Sequence, residues 1–300
     1  VTIPVWLPFY ETVYKAVSSE TQDKLLSISA ATIDRVLKPV RVTYGRKGLS
    51  GTRPGTLLKN QIPIRTDFWD VTQPGFMEAD TVAHCGNSLA GDFAWSLTMT
   101  DILTPWTENR ATWGKGAEGV RDQIEDVEAG LPFEMQGFDC DNGSEFLNWH
   151  LLRYFTNHPS VTSFTCSRPY KKNDNAQVEQ KNWSHVRQLF GCDRFEDPSL
   201  VNLMNDLYAN EWSLYQNHFI PSMKLREKKR INSRYYKKYD LPQTPYDRVI
   251  SSDHVSDEEK EHLQTVHTVL NPFILKKKIE KKLRVIFKKV KVTSSVRQRI

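Results

Sequence analysis

The chain has 300 residues, a charged fraction of 26% and a net charge of +5. That length suits two or three modules with a sizeable core. No run approaches the ~18 apolar residues that span a bilayer and no secretory signal is evident, so a membrane-spanning or exported protein is not expected.

Charge is unevenly spread. Residues 276–300 hold eleven Lys or Arg against one Glu, which leaves −5 on everything before them. Two further basic clusters, Arg35 to Arg65 and Lys224 to Lys238, flank an acidic middle. This is the pattern of a protein that grips nucleic acid with its ends, although a solvated surface explains any one cluster equally well. Cys85, Cys140, Cys166 and Cys192 are far apart and show no C-x-x-C or paired-His spacing, which predicts buried free thiols in a reducing cytoplasm. The chain opens at Val1 rather than Met, from which an upstream piece is expected.

In chain order, residues 20–45 read as helix, short turn, helix: Asp23 to Ser27, then Ser29 as a cap for a second helix ended by Pro39. Thr32, Arg35 and Lys38 share an outward surface on this reading, while Ile33, Val36 and Leu37 turn inward. The pattern fits both a DNA-binding helix-turn-helix and an ordinary helical hairpin. Residues 46–68 form a Gly/Pro-rich basic linker suited to tracking phosphates.

From near Trp69 the signals are those of a packed core. Residues 76–84 and 93–101 read as strands joined by a hairpin at Gly91, and Phe93, Trp95, Leu97 and Met99 alternate with Ala94, Ser96, Thr98 and Thr100. A strand from Trp106 to Trp113 follows, then a helix carrying Val120, Ile124 and Val127 on one side and ended by Gly130. After it come a strand (134–140), an aromatic-rich helix (145–157), a strand (161–166) and a helix (176–190) stopped by Gly191. A three-strand meander followed by strand-helix alternation predicts a mixed α/β sheet flanked by helices. Residues 199–215, 257–270 and 273–290 read as further helices, the last two hinged at Pro272. Ile279, Leu283 and Ile286 form a short apolar seam suited either to pairing subunits or to docking on the core.

Three short stretches carry the chemistry. EADTVAHCG holds Asp80, FDCDNGSEF holds Asp141, and SRPYKKNDNAQVEQKN places Glu179 in the first turn of a helix. Taken alone, each acid is an ordinary surface or helix-start residue. On the residues, Asp139 competes with Asp141 because the two alternate along one strand. Together, with sixty residues between the aspartates and thirty-seven between Asp141 and Glu179, the motifs resemble those of bacterial insertion-sequence transposases, whose catalytic core is similar to retroviral integrases.

The resemblance runs from about Leu25 to Leu270, and it implies a ribonuclease-H-like, mixed five-stranded sheet with flanking helices. The implied modules are an N-terminal helix-turn-helix (1–45), the basic linker (46–68), an integrase-type core (69–215) and a C-terminal basic helical region (216–300). It selects Asp141, through the pattern Asp141-Asn142-Gly143-Ser144-Glu145-Phe146, and implies that Asp80, Asp141 and Glu179 are catalytic and hold metal. Glu145 then reads as a helix-start residue and His84 as a strand-end residue. The His/Cys zinc module that precedes retroviral integrase cores is not present in the sequence given. Trp183 and Val186 stand where several of those integrases carry DNA-touching lysines, leaving Lys171, Lys172, Lys181 and Arg187, with Arg35 and Lys38, as the candidate DNA contacts.

Charge explains why such a triad needs cations. A phosphodiester repels carboxylates, whereas two divalent ions would neutralise three converging acids and clamp the attacking and leaving oxygens. Mg²⁺ is the expected ion, being hard and oxygen-seeking, and Mn²⁺ can substitute. The implied activity is a transposase that cleaves the 3′ ends of an insertion sequence and transfers them to target DNA. The implied partners are double-stranded DNA, both element ends and target, and further copies of the chain on that DNA, with no membrane and a cytoplasmic, nucleoid-associated location. A ribonuclease-H-like nuclease without transposition and a non-catalytic DNA-binding derivative are the alternatives.

Overall fold

The computed structural model describes residues 2–41, 62–63, 71–167 and 176–297. Trp69, Lys171, Lys172 and nearly all of the basic linker lie outside these residues.

Strands β1 (Phe76–Ala83), β2 (Ala94–Asp101) and β3 (Thr107–Trp113) form an antiparallel meander. The chain then crosses through α4 (Ala117–Ala129) to β4 (Gly137–Cys140), and through α5 (Trp149–Thr156) to β5 (Ser163–Cys166). Both later strands run parallel to β1 and give the sheet order β3-β2-β1-β4-β5. Parallel neighbours require such crossovers, and α4 and α5 supply them. This is the mixed five-stranded, ribonuclease-H-like arrangement that the motifs implied. The strand read over 134–140 contracts to four residues, and the helix read over 145–157 begins only at Trp149, where Asn148 caps it.

One face of the sheet is apolar. Met77, Ala79, Leu97, Met99, Phe138 and Cys140 pack against Val120, Ile124 and Val127 of α4 and against Leu151 and Phe155 of α5. The alternation along β2 suggests that its other face is wet, yet every residue of β2 is buried. On that face α6 (Ala176–Lys181) packs on β2, while α8 (Ser199–Leu207), a π-helical stretch at Tyr208–Trp212 and α9 (Ser213–Phe219) cover β3 beside it, with Tyr208 reaching Ser96 of β2. Its polar groups stay satisfied under this cover: Asn109 donates to Thr98, Ser96 bonds the Tyr208 hydroxyl, and Asn205 and Asn217 bond the backbone of β3. Buried polar groups need such partners.

The seam on the last helix, α12 (Pro272–Arg297), docks on the core. Ile279 and Ile286 are buried among Leu200, Met204, Leu207 and Tyr208, with Leu283 packed beside them. Intramolecular burial therefore uses the face that had been a candidate subunit contact. The preceding helices are α10 (Pro245–Ile250) and α11 (Asp257–Val269). The C-terminal region is not wholly helical, because β6 (Leu225–Ile231) and β7 (Arg234–Tyr239) form an exposed hairpin.

At the other end, α1 (Thr2–Val13), which the sequence reading left unassigned, lays Trp6 and Tyr10 against Phe273 and Phe9 against Phe219. Helices α2 (Ser19–Ser27) and α3 (Ala30–Arg41) follow, separated by two residues, with Ser29 accepting from the Thr32 amide. Pro39 does not end α3; it sits in the last turn, and the helix runs only two residues past it. Val36 and Leu37, expected to face inward, are exposed, Val36 by 64%, and no residue of α3 belongs to a core cluster.

Candidate active site

The site grows out of the two central parallel strands. Ala79 of β1 is level with Cys140 of β4, so the next residues, Asp80 and Asp141, come side by side. Met77, Ala79, Phe138 and Cys140 fill the apolar face, so the period-two alternation of a strand sends Glu78, Asp80, Asp139 and Asp141 to the opposite face. The carboxyl of Asp80 is fixed on both sides: its Oδ1 accepts from the Thr81 amide at 2.7 Å and its Oδ2 from Asn182 Nδ2 at 2.7 Å. Asp139 is fully buried and accepts from the Thr165 hydroxyl of β5 at 2.5 Å, a contact that ties two strands together.

Beyond β4 the chain turns tightly. Asp141 Oδ1 accepts from the Gly143 amide at 2.8 Å, and a Cβ on Gly143 would meet the Glu145 carboxyl carbon at 2.5 Å. A side chain there would displace the Glu145 carboxylate from its place. Glu145 does not start a helix. It is fully buried, accepts from the Thr81 hydroxyl at 2.7 Å and pairs with Lys115 at 2.6 Å. Lys115 also lies over the Trp95 ring, 4.4 Å from its centroid.

Glu179 arrives on α6 (Ala176–Lys181), whose start is tied to β1 by the Val178 amide donating to Glu78. The helix continues as a π-helical stretch, Asn182–Arg187, and a final α turn, α7 (Gln188–Phe190). Gly191, at φ 70°, stops it, as expected. The wider π turn sits where Asn182 meets Asp80, a local deviation of the kind common at functional sites. Asn182 is a site residue that sequence reasoning missed.

The pKa of Asp80 is raised well above the ordinary carboxylate range, first by burial, then by Asp141, with Glu145 and Glu179 adding to it. Asp141 is raised to about 6 by burial and by Glu145. Asp80, Asp141 and Glu145 thus bear on one another, with Lys115 paired to Glu145, while Glu179 is exposed on α6 and is the smallest of the named influences on Asp80. Crowded, oxygen-only donors are the chemistry that a hard divalent cation fits, since it would relieve the repulsion. Among the described residues, no group of three or more His, Cys, Asp or Glu side chains is disposed to hold a metal ion. The protein's own donors on Asp80 and Asp141 account for how those carboxylates are aimed.

No family model matches the chain. The uncharacterized protein y4rM of Sinorhizobium fredii (strain NBRC 101917 / NGR234) is 38% identical over 250 residues, which cover 82% of this chain and 70% of that protein. The chain belongs to the y4rM family. Among solved structures, the catalytic core domain of BIV integrase is similar at a TM-score of 0.36 and 14% identity, over 60% of this chain and 96% of that one.

In this member of the y4rM family the candidate DNA contacts fall into different settings. Arg35 and Lys38 are exposed on α3, with Arg35 bonded to Thr32. Lys181 is half-buried, its pKa pushed down to about 8 by burial and by Arg248. Arg187 is half-buried too, close enough to the His84 and Tyr208 side chains to act on both. His84 is buried against Ser96 at 2.7 Å and stacked on Phe195, a core role in keeping with its reading as a strand-end residue. Cys85, Cys140 and Cys166 are buried and Cys192 is half-buried, and none of the four is in a disulfide. No described helix is long and apolar enough to cross a membrane.

Proposed function

We propose that this chain is a DNA transposase of an insertion sequence, cutting the element at its 3′ ends and joining the freed 3′-hydroxyls to target DNA. What supports this reading is that Asp80 of β1 and Asp141 at the end of β4 come side by side, with Asp80 disposed to keep its proton by burial first and then by the charges of Asp141, Glu145 and, on α6, Glu179. On this reading the three carboxylates would hold two Mg²⁺ ions, for which Mn²⁺ could substitute. When bound, such ions offset the charge of a phosphodiester and stabilise both its attacking and its leaving oxygen.

The remaining groups act by positioning. Asn182 and the Thr81 amide orient Asp80, the Gly143 amide orients Asp141, and Lys115 with Thr81 holds Glu145 behind them. One such site serves both steps, because each is an attack on a phosphodiester by water or by a sugar hydroxyl.

A duplex carrying the DNA that flanks the coding region, incubated with Mg²⁺, tests the proposal. The wild-type chain should nick it at the element's 3′ ends and join it to a second duplex. Asp80→Asn, Asp141→Asn and Glu179→Gln should each abolish cleavage while leaving DNA binding largely intact, and Asp139→Asn, if folded, should still cut. Substantial cleavage by any of the first three would show the triad to be misassigned.

A further inference from the structure

Residues 225–239, which hold the β6–β7 hairpin, carry seven Lys or Arg against one acid, Glu227. All thirteen residues of its two strands are exposed, so the arm buries nothing and is covered by nothing among the described residues. A two-stranded ribbon is marginally stable by itself. This one is instead held at its root. The Lys224 amide and Arg248 both bond the Asp240 carboxylate, at 2.6 and 2.8 Å, and Ser222 and Gln243 exchange backbone hydrogen bonds. Lys224 Nζ also donates to the carbonyls of Ile102 and Leu103, directly after β2. The arm is therefore anchored to the loop that follows β2, at the end of the sheet where β1 begins.

Its register sorts the side chains. Lys228 stands opposite Lys237 and Arg230 opposite Tyr235, so one face presents three cations and a tyrosine with no acid. Lys228 and Arg230 both lie over the Tyr235 ring, at 4.8 and 5.7 Å from its centroid. The other face carries Glu227, which pairs with Lys229. Directly opposed like charges weaken a hairpin, so the first face is built at a cost that a polyanion would reverse. Lysines alone could serve to keep an edge strand from pairing with another chain. Tyr235, Tyr236 and Tyr239 do not fit that purpose, since Tyr235 and Tyr236 are 58% and 56% exposed and make the arm more adhesive. Cations interleaved with aromatic rings on a ribbon as wide as a DNA major groove suit a duplex.

We infer that the β6–β7 hairpin is a DNA-binding arm that sets the Lys228, Arg230, Tyr235 and Lys237 face against duplex DNA led to the carboxylate site. The inference rests on the reading of the chain as a DNA enzyme. Binding of the full chain to a 30-base-pair duplex of arbitrary sequence, measured by fluorescence anisotropy across a salt series in EDTA, tests it. Combining Lys228→Ala, Arg230→Ala and Lys237→Ala should weaken binding at least about ten-fold and lower the salt slope by roughly 2.7, near 0.9 per lost phosphate contact. Lys229→Ala with Lys238→Ala, on the opposite face, should do much less. Acetylation footprinting of the wild-type chain should show Lys228 and Lys237 protected by the duplex, which needs no variant to fold. Unchanged affinity and slope in the triple variant, unprotected lysines, or capture by anionic phosphatidylserine vesicles in preference to the duplex would overturn the arm. A wild-type chain that binds no duplex at low salt would overturn the DNA reading itself and the arm with it.

Discussion

Glu145 changes its meaning between the sequence and the structure. As part of D-N-G-S-E-F it reads as a helix start, yet it is buried against Lys115 and Thr81 and adds its charge to Asp80 and Asp141. Removing one partner of a buried ion pair leaves an unpaired charge, which costs more than the pair contributes. Lys115→Met should therefore destabilise the fold by about 3 kcal/mol, the low end of the range for buried pairs because Lys115 keeps part of its side chain in water. Adding Glu145→Gln should recover most of that loss, and urea unfolding of the single and double variants measures both. His84 gives a second expectation at this scale. Burial, and next to it Arg187, holds its pKa down to about 3, whereas an unfolded histidine titrates near 6.5. Between those values the unfolded chain binds the extra proton, so stability falls as pH falls below about 6.5 and is flat above it. His185 and His218, also depressed by burial, act in the same direction. His84→Gln should lower the slope of stability between pH 6 and 4 by up to about 1.4 kcal/mol per pH unit, read from urea midpoints at each pH.

Among the elements, α12 departs most from a simple basic tail. Its lysines are largely exposed, but Ile279, Ile286 and Val290 close the cluster beneath α8 and α9. Deleting residues 276–300 should therefore disrupt the fold and not merely weaken DNA binding. Ile279→Ala, which opens a cavity at a fully buried position, should cost about 2–5 kcal/mol by denaturant unfolding. A native-like midpoint would place the seam outside the core. The α6 helix makes a related point: its π turn supplies Asn182 to Asp80 through a change of helical pitch, which no apolar period announces.

For the whole molecule, the proposed reaction demands two processed ends, while one chain gathers one set of carboxylates. Paired end DNA should therefore assemble at least two copies. The contact must lie elsewhere than Ile279, Leu283 and Ile286, which each chain packs within itself. Analytical ultracentrifugation with and without two-ended DNA decides the question. A complex that stays at one chain per end, with no bridging, would favour a nuclease acting alone.

The sequence by itself determined the sheet. Period-two alternation marked β2, strand signals marked β1 and β3 on either side of it, and the spacing of Val120, Ile124 and Val127 marked the crossover helix, whereas the choice of Asp80, Asp141 and Glu179 came from the resemblance of three motifs. Alternation and spacing are local signals, set by which side of a strand or helix must leave water. Only the tertiary structure decided what covers the polar face of β2, where the apolar seam of α12 goes, and that Glu145, Lys115 and Asn182 stand around the aspartates. Each of those depends on a partner distant in the chain, since Asn182 reaches Asp80 across 102 positions and Ile279 packs against α8. The hairpin lay beyond local reading for the opposite reason: with every side chain in solvent, it leaves no buried period to read, and its pairing is fixed by the turn at Asn232, at φ 54°, and by the ion pair of Arg248 with Asp240 at its root.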